Sequence, residues 1–439
     1  MVRLAALLTA ATGLVLGQAQ PPPERMEPIP PEIWAEEAAE LPLVDHGIEL
    51  SGASRLVVGT NELGFGMLRE LALPSPDENV FISPTSVALA LGMAYAGAAG
   101  STRDAMADAL GLRGMIREEV DVSFTELLAA LESSDPKVRV DIANSLWARR
   151  GVKFAGEYTQ AVLDHFAAEA KELDFSAASA PGTINAWVKA KTGGKIPAII
   201  ETIDPDDVLF LVNAVYFKGM WTNAFDKKLT EEGDFHRSAD DAARVMMMSR
   251  QAKFDYLEDR HVQAVRLPYG EGHLAMYVFL PRRPRVGESE STPDHGMVLE
   301  EFLGRLNQEE WSMRQDQFRS RSGKVVLPRF RLEYSQKLNE VLRSLGMSEA
   351  FEPGVADFSA MFAESGSKPA YISEVRHKTF VDVNEEGTEA AAATSVGVTL
   401  TAMPAEEPFL MVVDRPFCCV VADRKTGAVL FAGAIRDPS

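Results

Sequence analysis

The chain has 439 residues, of which 46% are hydrophobic and 25% charged, so it carries enough apolar side chains to bury a large core. Its formal net charge of −20 would repel a phosphate backbone, which argues against nucleic acid as a partner. The two cysteines, Cys418 and Cys419, are adjacent and cannot close a long loop, so we expect buried free thiols and no disulfide framework.

The N-terminus has the pattern of an export signal. Arg3 supplies a positive charge, residues 4–16 form a short apolar run, and Ala19 ends a stretch of small residues suited to cleavage. At about 1.5 Å per residue this run is too short to cross about 30 Å of hydrocarbon. We therefore predict a signal peptide over residues 1–19 and a secreted or periplasmic protein. Residues 20–52, rich in Pro, Glu and Ala, are expected to form a flexible tether.

Helical patterns dominate the chain after the tether. From about Ser54 the apolar residues recur at helical spacing through Leu71, which predicts a first helix. Ser83-Pro84 opens a second helix that is apolar all round and therefore expected to be buried. The pair Ser101-Thr102 is expected to cap a third helix.

Strand patterns dominate the later part of the chain. Residues 138–147 alternate between apolar and polar, and residues 208–217 form an apolar run typical of a central strand buried on both faces. Further strands are predicted over residues 274–280, 324–327, 378–383, 409–413, 417–422 and 429–434, the last two joined by a hairpin loop. No linker divides these elements, so the sequence predicts one α+β domain over residues 53–439.

The motifs of common enzymes are missing from the sequence. It contains neither Gly-X-Ser-X-Gly nor His-Glu-X-X-His. We therefore predict that the protein is not an enzyme, has no catalytic residues, and binds neither a metal nor a cofactor.

Residues 384–404 form a segment with two alternating faces. One face is small or apolar: Thr388, Ala390, Ala392, Thr394, Val396, Val398, Leu400. The other is polar or small: Glu389, Ala391, Ala393, Ser395, Gly397, Thr399, Thr401. This alternation is typical of a half-buried strand. The predicted strand 378–383 runs into the segment, so the chain could either leave the sheet or continue as a new strand in it. Taken alone, the segment is equally compatible with an edge strand or an alanine-rich loop.

Motifs elsewhere in the chain resemble those of the serpin family. They are residues 79–86 (NVFISPTS), 96–102 (AGAAGST), 184–188 (INAWV), 192–196 (TGGKI), 211–221 (LVNAVYFKGMW), 267–269 (LPY), 327–330 (LPRF), 345–347 (LGM), 356–359 (ADFS), 385–394 (EEGTEAAAAT) and 414–417 (DRPF). They occur in the family's order from about residue 53 to residue 436. The resemblance implies an α+β serpin fold with about nine helices, three β-sheets and an exposed reactive loop.

The resemblance also implies a function, single-use inhibition of a serine protease. The protease cleaves the loop, forms an acyl-enzyme, and is carried away as the loop inserts into the central sheet. Some family members are carriers or chaperones, but the small hinge residues here favour an inhibitor. The expected partner is an elastase-like or subtilisin-like protease in a covalent 1:1 complex with a monomer. The region 117–137, matching the family's fourth helix, is acidic, so we expect no activation by heparin.

Three groups of residues acquire roles from the resemblance. The hinge is Glu385, Glu386, Gly387, Thr388, Glu389, Ala390, Ala391, Ala392 and Ala393. The shutter, a polar cluster beneath the centre of the sheet, is Ser83, Ser86, Asn213 and His377. The breach, at the top of the sheet, is Trp221, Arg329 and Glu385, with an exposed ion pair expected between the last two. In an uncleaved molecule we expect loosely joined strands where residues 388–400 would fit.

The reactive bond follows from the family's spacing. In inhibitory relatives it usually lies after the residue 16 positions beyond the first hinge acid, which here gives Thr401–Ala402. Cleavage after Leu400 or Met403 is the alternative. A small, uncharged Thr401 suits the shallow pocket of an elastase-like enzyme.

Overall fold

The computed structural model describes residues 52–131, 135–282, 297–363, 370–388 and 407–439. The described residues form nine helices: α1 (Gly52–Ala72), α2 (Pro84–Tyr95), α3 (Gly100–Ala109), α4 (Arg117–Leu131), α5 (Gly156–Phe166), α6 (Ala180–Lys191), α7 (Leu299–Arg305), α8 (Gln308–Gln317) and α9 (Asn339–Leu342). Within the same ranges, none of these helices combines the length and apolarity needed to cross a membrane. The predicted signal peptide and nearly all of the tether lie outside the described residues.

The structure confirms the prediction that the second helix is buried, and it contradicts the predicted cap of the third helix. Ser83 caps α2 by accepting a hydrogen bond from the N–H of Ser86, and every residue of α2 is buried. Helix α3 begins earlier than expected, with Ala99 as its N-cap and no side-chain capping bond. The hydroxyl of Thr102 instead accepts a tertiary hydrogen bond from the N–H of Asp357, at 3.0 Å. The predicted Ser101-Thr102 cap was therefore wrong.

A six-stranded sheet contains the predicted central strand. Its members are β2 (Val138–Arg149), β3 (Glu169–Leu173), β4 (Leu209–Met220), β10 (Phe330–Lys337), β11 (Ile372–Asn384) and β12 (Gly387–Thr388), in the order β10-β11-β12-β4-β2-β3. Strand β4 is buried along almost its whole length, as its apolar run predicted. Strands β11 and β4 are parallel neighbours, whereas β10–β11 and β4–β2 are antiparallel.

The other described strands form a nine-stranded sheet. They are β1 (Val80–Ile82), β5 (Glu231–His236), β6 (Ala242–Glu258), β7 (Val262–Pro268), β8 (Leu274–Pro281), β9 (Arg319–Pro328), β13 (Phe409–Val412), β14 (Phe417–Asp423) and β15 (Val429–Ile435). We expected three sheets; hydrogen bonding joins these strands into one because the 17-residue β6 pairs with β5, β9 and β7 along its length.

The core lies between the two sheets. Helix α2 packs against β15 on one side and against β2 and β4 on the other. Cys418 and Cys419 lie on β14 as fully buried free thiols, which confirms the sequence prediction. Burial raises the pKa of Cys419 to about 12, so its reactive thiolate form is disfavoured.

Candidate functional site

The chain reverses direction at the top of the six-stranded sheet and begins to enter it. After β11 ends at Asn384, a turn returns the chain as β12, which pairs antiparallel with both β11 and β4. Below this point β11 and β4 pair directly, from Ile372 to Phe380 on the β11 side. The expectation of loosely joined strands was therefore wrong for most of their length. The sheet is parted only at its top, where two hinge residues fill the gap.

Gly387 makes this entry possible because no side chain fits at its position. Its φ is +144°, a value that residues with a side chain rarely adopt. A Cβ atom there would lie 2.1 Å from the carbonyl oxygen of Gly219 on β4. The hinge backbone consequently approaches β4 more closely than any larger residue would allow.

Thr388 is fully buried and is held by an aromatic pair. Its hydroxyl lies 3.0 Å from the Tyr269 hydroxyl, and the Tyr269 ring stacks on Trp221 with centroids 4.4 Å apart. Trp221 binds the turn in two places, because its indole N–H donates to the carbonyl of Asn384 and its backbone N–H to that of Glu386, each at 2.9 Å. Sequence reasoning placed Trp221 here but missed Tyr269, whose motif (LPY) gave no indication of its partner.

The predicted ion pair at the top of the sheet is present in a different environment. Arg329 Nε lies 3.7 Å from Glu385 Oε2. We expected both groups to be exposed, but Glu385 is only 3% exposed. Its carboxylate accepts a hydrogen bond from the Thr230 hydroxyl, and its backbone carbonyl accepts one from the Phe225 N–H. The Glu385 carboxylate is therefore desolvated. Removing its cation should cost more unfolding free energy than breaking an exposed ion pair would.

The second hinge acid has a cation of its own. Glu386 is 8% exposed and forms a salt bridge with Lys227, while its backbone N–H donates to Asn384 Oδ1 at 3.0 Å. Together with Arg329 and Glu385, this pair balances two carboxylates with two cations around the turn. These contacts hold the turn in place at the top of the sheet.

The four predicted shutter residues meet in one buried cluster. Ser83 N–H donates to His377 Nε2 at 3.1 Å, and His377 Nδ1 hydrogen-bonds to Asn213 Oδ1. Asn213 Nδ2 in turn donates to the carbonyl of Ser86 at 3.0 Å. The cluster connects helix α2 to β11 and β4, the two strands that insertion would have to separate.

The hydrogen bonds of His377 define its protonation state. Because Nε2 accepts from a backbone N–H, the proton resides on Nδ1 and the ring is neutral. Complete burial lowers the pKa of His377 to about 3, which favours the same neutral form.

Sequence reasoning missed one member of this cluster. Asn144 on β2 is buried and accepts a hydrogen bond from Asn213 Nδ2. It extends the network to a third strand of the sheet. The sequence did contain an indication of this role. Asn144 is a polar residue within a predicted strand, and a buried polar side chain needs a hydrogen-bonding partner.

Several predicted residues lie outside the described part of the chain. They are Glu389, Ala390, Ala391, Ala392, Ala393, Leu400, Thr401, Ala402 and Met403. The reactive bond accordingly stays a prediction. Asp135, one of the acidic residues of the region 117–137 that we expected to repel heparin, is buried, and its carboxylate accepts hydrogen bonds from the N–H groups of Lys137 and Glu271.

Comparison with known proteins identifies the family. The family model described as Serpin (serine protease inhibitor) matches residues 58–438. An uncharacterized serpin-like protein of Thermococcus kodakarensis is 35% identical over 446 residues, which cover 100% of this chain and 98% of that protein. The chain therefore belongs to the serpin family.

Other relatives have names that refer to different activities. The leukocyte elastase inhibitor of Bos taurus is 35% identical over 373 residues, covering 83% of this chain and 94% of that protein. Native tengpin, a thermophilic serpin, superposes with a TM-score of 0.77 at 30% identity, covering 87% and 94% of the two chains. Human thyroxine-binding globulin in complex with its hormone superposes with a TM-score of 0.78 at 25% identity, covering 88% and 100%. The names of these relatives thus refer to protease inhibition in one case and to thyroxine binding in another.

Proposed function

We propose that this serpin is an exported, monomeric inhibitor that traps an elastase-like or subtilisin-like serine protease in a covalent 1:1 complex. The observation that carries the proposal is β12, two hinge residues already paired between β11 and β4. The rest of the segment can follow them into the sheet only if β11 and β4 separate. The first two hinge residues therefore already occupy the position where insertion would begin, and cleavage would allow the rest of the segment to follow.

The register of β12 defines that path. Thr388 is opposite Gly219, so antiparallel continuation would bring residue 398 opposite Leu209, the first residue of β4. The side chain of Thr388 faces the buried Tyr269, so every second residue after it would also face the core. These are the small or apolar residues of the segment, which suit a packed interior. Insertion would replace one parallel strand pairing with two antiparallel ones.

Insertion would also move the protease a long way. Residues 388–401 in extended form span about 46 Å at roughly 3.3 Å per residue. A protease attached through an acyl bond to Thr401 would be drawn along the molecule and pressed against its far end. Hydrolysis of the acyl-enzyme requires an oriented oxyanion hole and base, and distortion of these groups stalls it.

Incubation with pancreatic elastase and with subtilisin tests the proposal. We expect a covalent band that survives denaturing electrophoresis, and a higher melting temperature for the cleaved protein. Thr388→Arg should abolish the band but allow loop cleavage, because an arginine at this buried position would oppose insertion. Gln160→Arg, on the exposed surface of α5, is the matched control and should retain the band. Clean cleavage of the wild type by both proteases, without a band or a thermal shift, would contradict inhibition.

A carrier function is the second candidate, favoured by the likeness to thyroxine-binding globulin. A carrier would be cleaved without trapping the protease. It would also gain thermal stability from a small apolar ligand, which an inhibitor does not need. We propose further that heparin does not accelerate inhibition, because the first turn of α4 carries Glu118 and Glu119. A steep rise in rate on adding heparin would contradict this part.

A further inference from the structure

One face of the nine-stranded sheet carries positive charge next to residue 407, where the described chain resumes after the reactive segment. On this face Lys324 of β9 is opposite Gln251 of β6 and Leu410 of β13. Residues directly opposite in neighbouring strands share a face, as do alternate residues of one strand. Lys253 and its partner Ser322 therefore lie on the same face. We call these five residues the basic platform.

The platform is open to solvent and its lysines are not neutralised. Lys253, Lys324, Gln251 and Ser322 are exposed, and Leu410 is 59% exposed. Within the described ranges neither lysine forms an ion pair.

Two acidic residues lie close to the platform in the chain, Asp255 on β6 and the exposed Glu407 before β13. Asp255 follows Lys253 by two residues on β6, but its carboxylate is occupied by Arg266 at 2.7 Å. Glu407 offsets one of the two lysines at most, so the platform keeps a positive local charge on a chain of net charge −20.

Exposed lysines near a sheet edge often do no more than prevent edge-to-edge association. The position of this platform gives it a second use. Phe409, the first residue of β13, follows Thr401 by eight residues, a span of at most about 26 Å at roughly 3.3 Å per residue. A protease of about 230 residues has a radius of gyration of about 17 Å. The predicted bond therefore lies within about 26 Å of Phe409, a distance comparable to the size of the protease, so a protease engaged there can contact the platform.

We propose that the basic platform is a docking surface for the target protease, and that the matching surface of the protease carries carboxylates beside its active-site cleft. This inference rests on the proposed inhibitory function. Complementary charge raises the rate and orients the encounter, while the remaining acidic surface repels wrong orientations. Leu410, opposite Lys324 on the edge strand β13, adds an exposed apolar contact.

The test compares two double variants with the same change in net charge. Lys253→Glu with Lys324→Glu reverses the platform, and Lys153→Glu with Lys189→Glu reverses two exposed, unpaired lysines elsewhere. The measured quantity is the association rate constant with a subtilisin-type protease of net negative charge. At low salt we expect the platform variant to be slower than the control variant by about tenfold. The difference should shrink at high salt because exposed charges are screened.

Other outcomes overturn the proposal in distinguishable ways. Equal rates for the two double variants would show that overall charge, rather than the platform, controls association. Faster inhibition on adding heparin, lost only in the platform variant, would assign the platform to a polyanion instead. Failure of the wild type to form any covalent complex would remove the inhibitory function itself, and the docking surface with it.

Discussion

Tyr269 and Thr388, which are 119 residues apart in the chain, share a buried hydrogen bond of 3.0 Å between their hydroxyls. Tyr269 follows β7 of the nine-stranded sheet, whereas Thr388 is the last described residue of the hinge. The bond therefore connects the nine-stranded sheet to the segment that would move in the proposed mechanism. It holds the hinge inserted by two residues and ties it to the stacked ring of Trp221.

Tyr269→Phe should loosen this attachment. The variant keeps the ring stacked on Trp221 but leaves the buried Thr388 hydroxyl without its partner, which costs about 1–3 kcal/mol of unfolding free energy. Denaturant melts of Tyr269→Phe, Thr388→Val and the double variant would measure the coupling between the two hydroxyls. Fully additive effects of the two substitutions would contradict a direct bond.

Gly387→Ala should displace β12 from the gap. An added Cβ would lie 2.1 Å from the Gly219 carbonyl oxygen, and the alanine would be held in a strained backbone conformation. We expect a loss of about 1–3 kcal/mol and faster amide exchange at Thr388. Gly182→Ala in α6, where an added Cβ meets nothing within 4 Å, is the control and should be neutral or stabilising. Unchanged exchange at Thr388 in Gly387→Ala would show that close approach is not required.

Arg329→Met should destabilise the protein more than Glu385→Gln does. The arginine is half-exposed, with 47% of its side chain accessible, but its removal leaves a nearly buried carboxylate without a cation. We expect the unfolding free energies of the two variants to differ by about 1 kcal/mol, the lower end of the cost of leaving a buried polar group uncompensated. The double variant should resemble Glu385→Gln alone, because no charge then remains to be compensated. Equal losses in the two single variants would contradict this account.

The sequence predicted the elements that depend on local pattern and missed those that depend on distant partners. Three features could be predicted because each depends on the composition of one short segment. They are the apolar surface of α2, the buried run of β4 and the adjacent thiols. The cap of α3 could not be predicted, because Thr102 is engaged by Asp357 from a remote loop. The pairing of β12 between β11 and β4 could not be predicted from the sequence either, because it depends on how far these two strands separate. The contacts of Tyr269 and Asn144 likewise join strands that are far apart in the sequence.

Acid should weaken the protein through His377. Burial holds its pKa at about 3 in the folded state, against 6.5 for an unperturbed histidine, so between these values the unfolded chain binds a proton that the folded protein does not. The free energy of unfolding therefore falls as the pH drops below 6.5, by about 2 kcal/mol at pH 5 from this group alone.

A non-titrating variant isolates this contribution. The side chain of His377→Gln can both donate and accept but carries no ionisable group, so its stability should depend less on pH between 4.5 and 7. The measurement is the difference in unfolding free energy between wild type and variant across that range. Parallel curves for the two proteins would show that His377 does not titrate on unfolding.

The last prediction concerns the bond that the protease cuts. We expect Thr401→Arg to create inhibition of trypsin and to abolish inhibition of elastase, because the trypsin pocket contains a carboxylate that pairs with arginine. Mass spectrometry of the C-terminal fragment identifies the bond directly. A fragment beginning at Ala402 supports Thr401 as the specificity residue, one beginning at Thr401 assigns the bond to Leu400, and one beginning at Pro404 assigns it to Met403. A Leu400→Asp variant separates the first two cases independently. If it loses elastase complexes while Thr401→Arg keeps them, the bond lies one residue earlier.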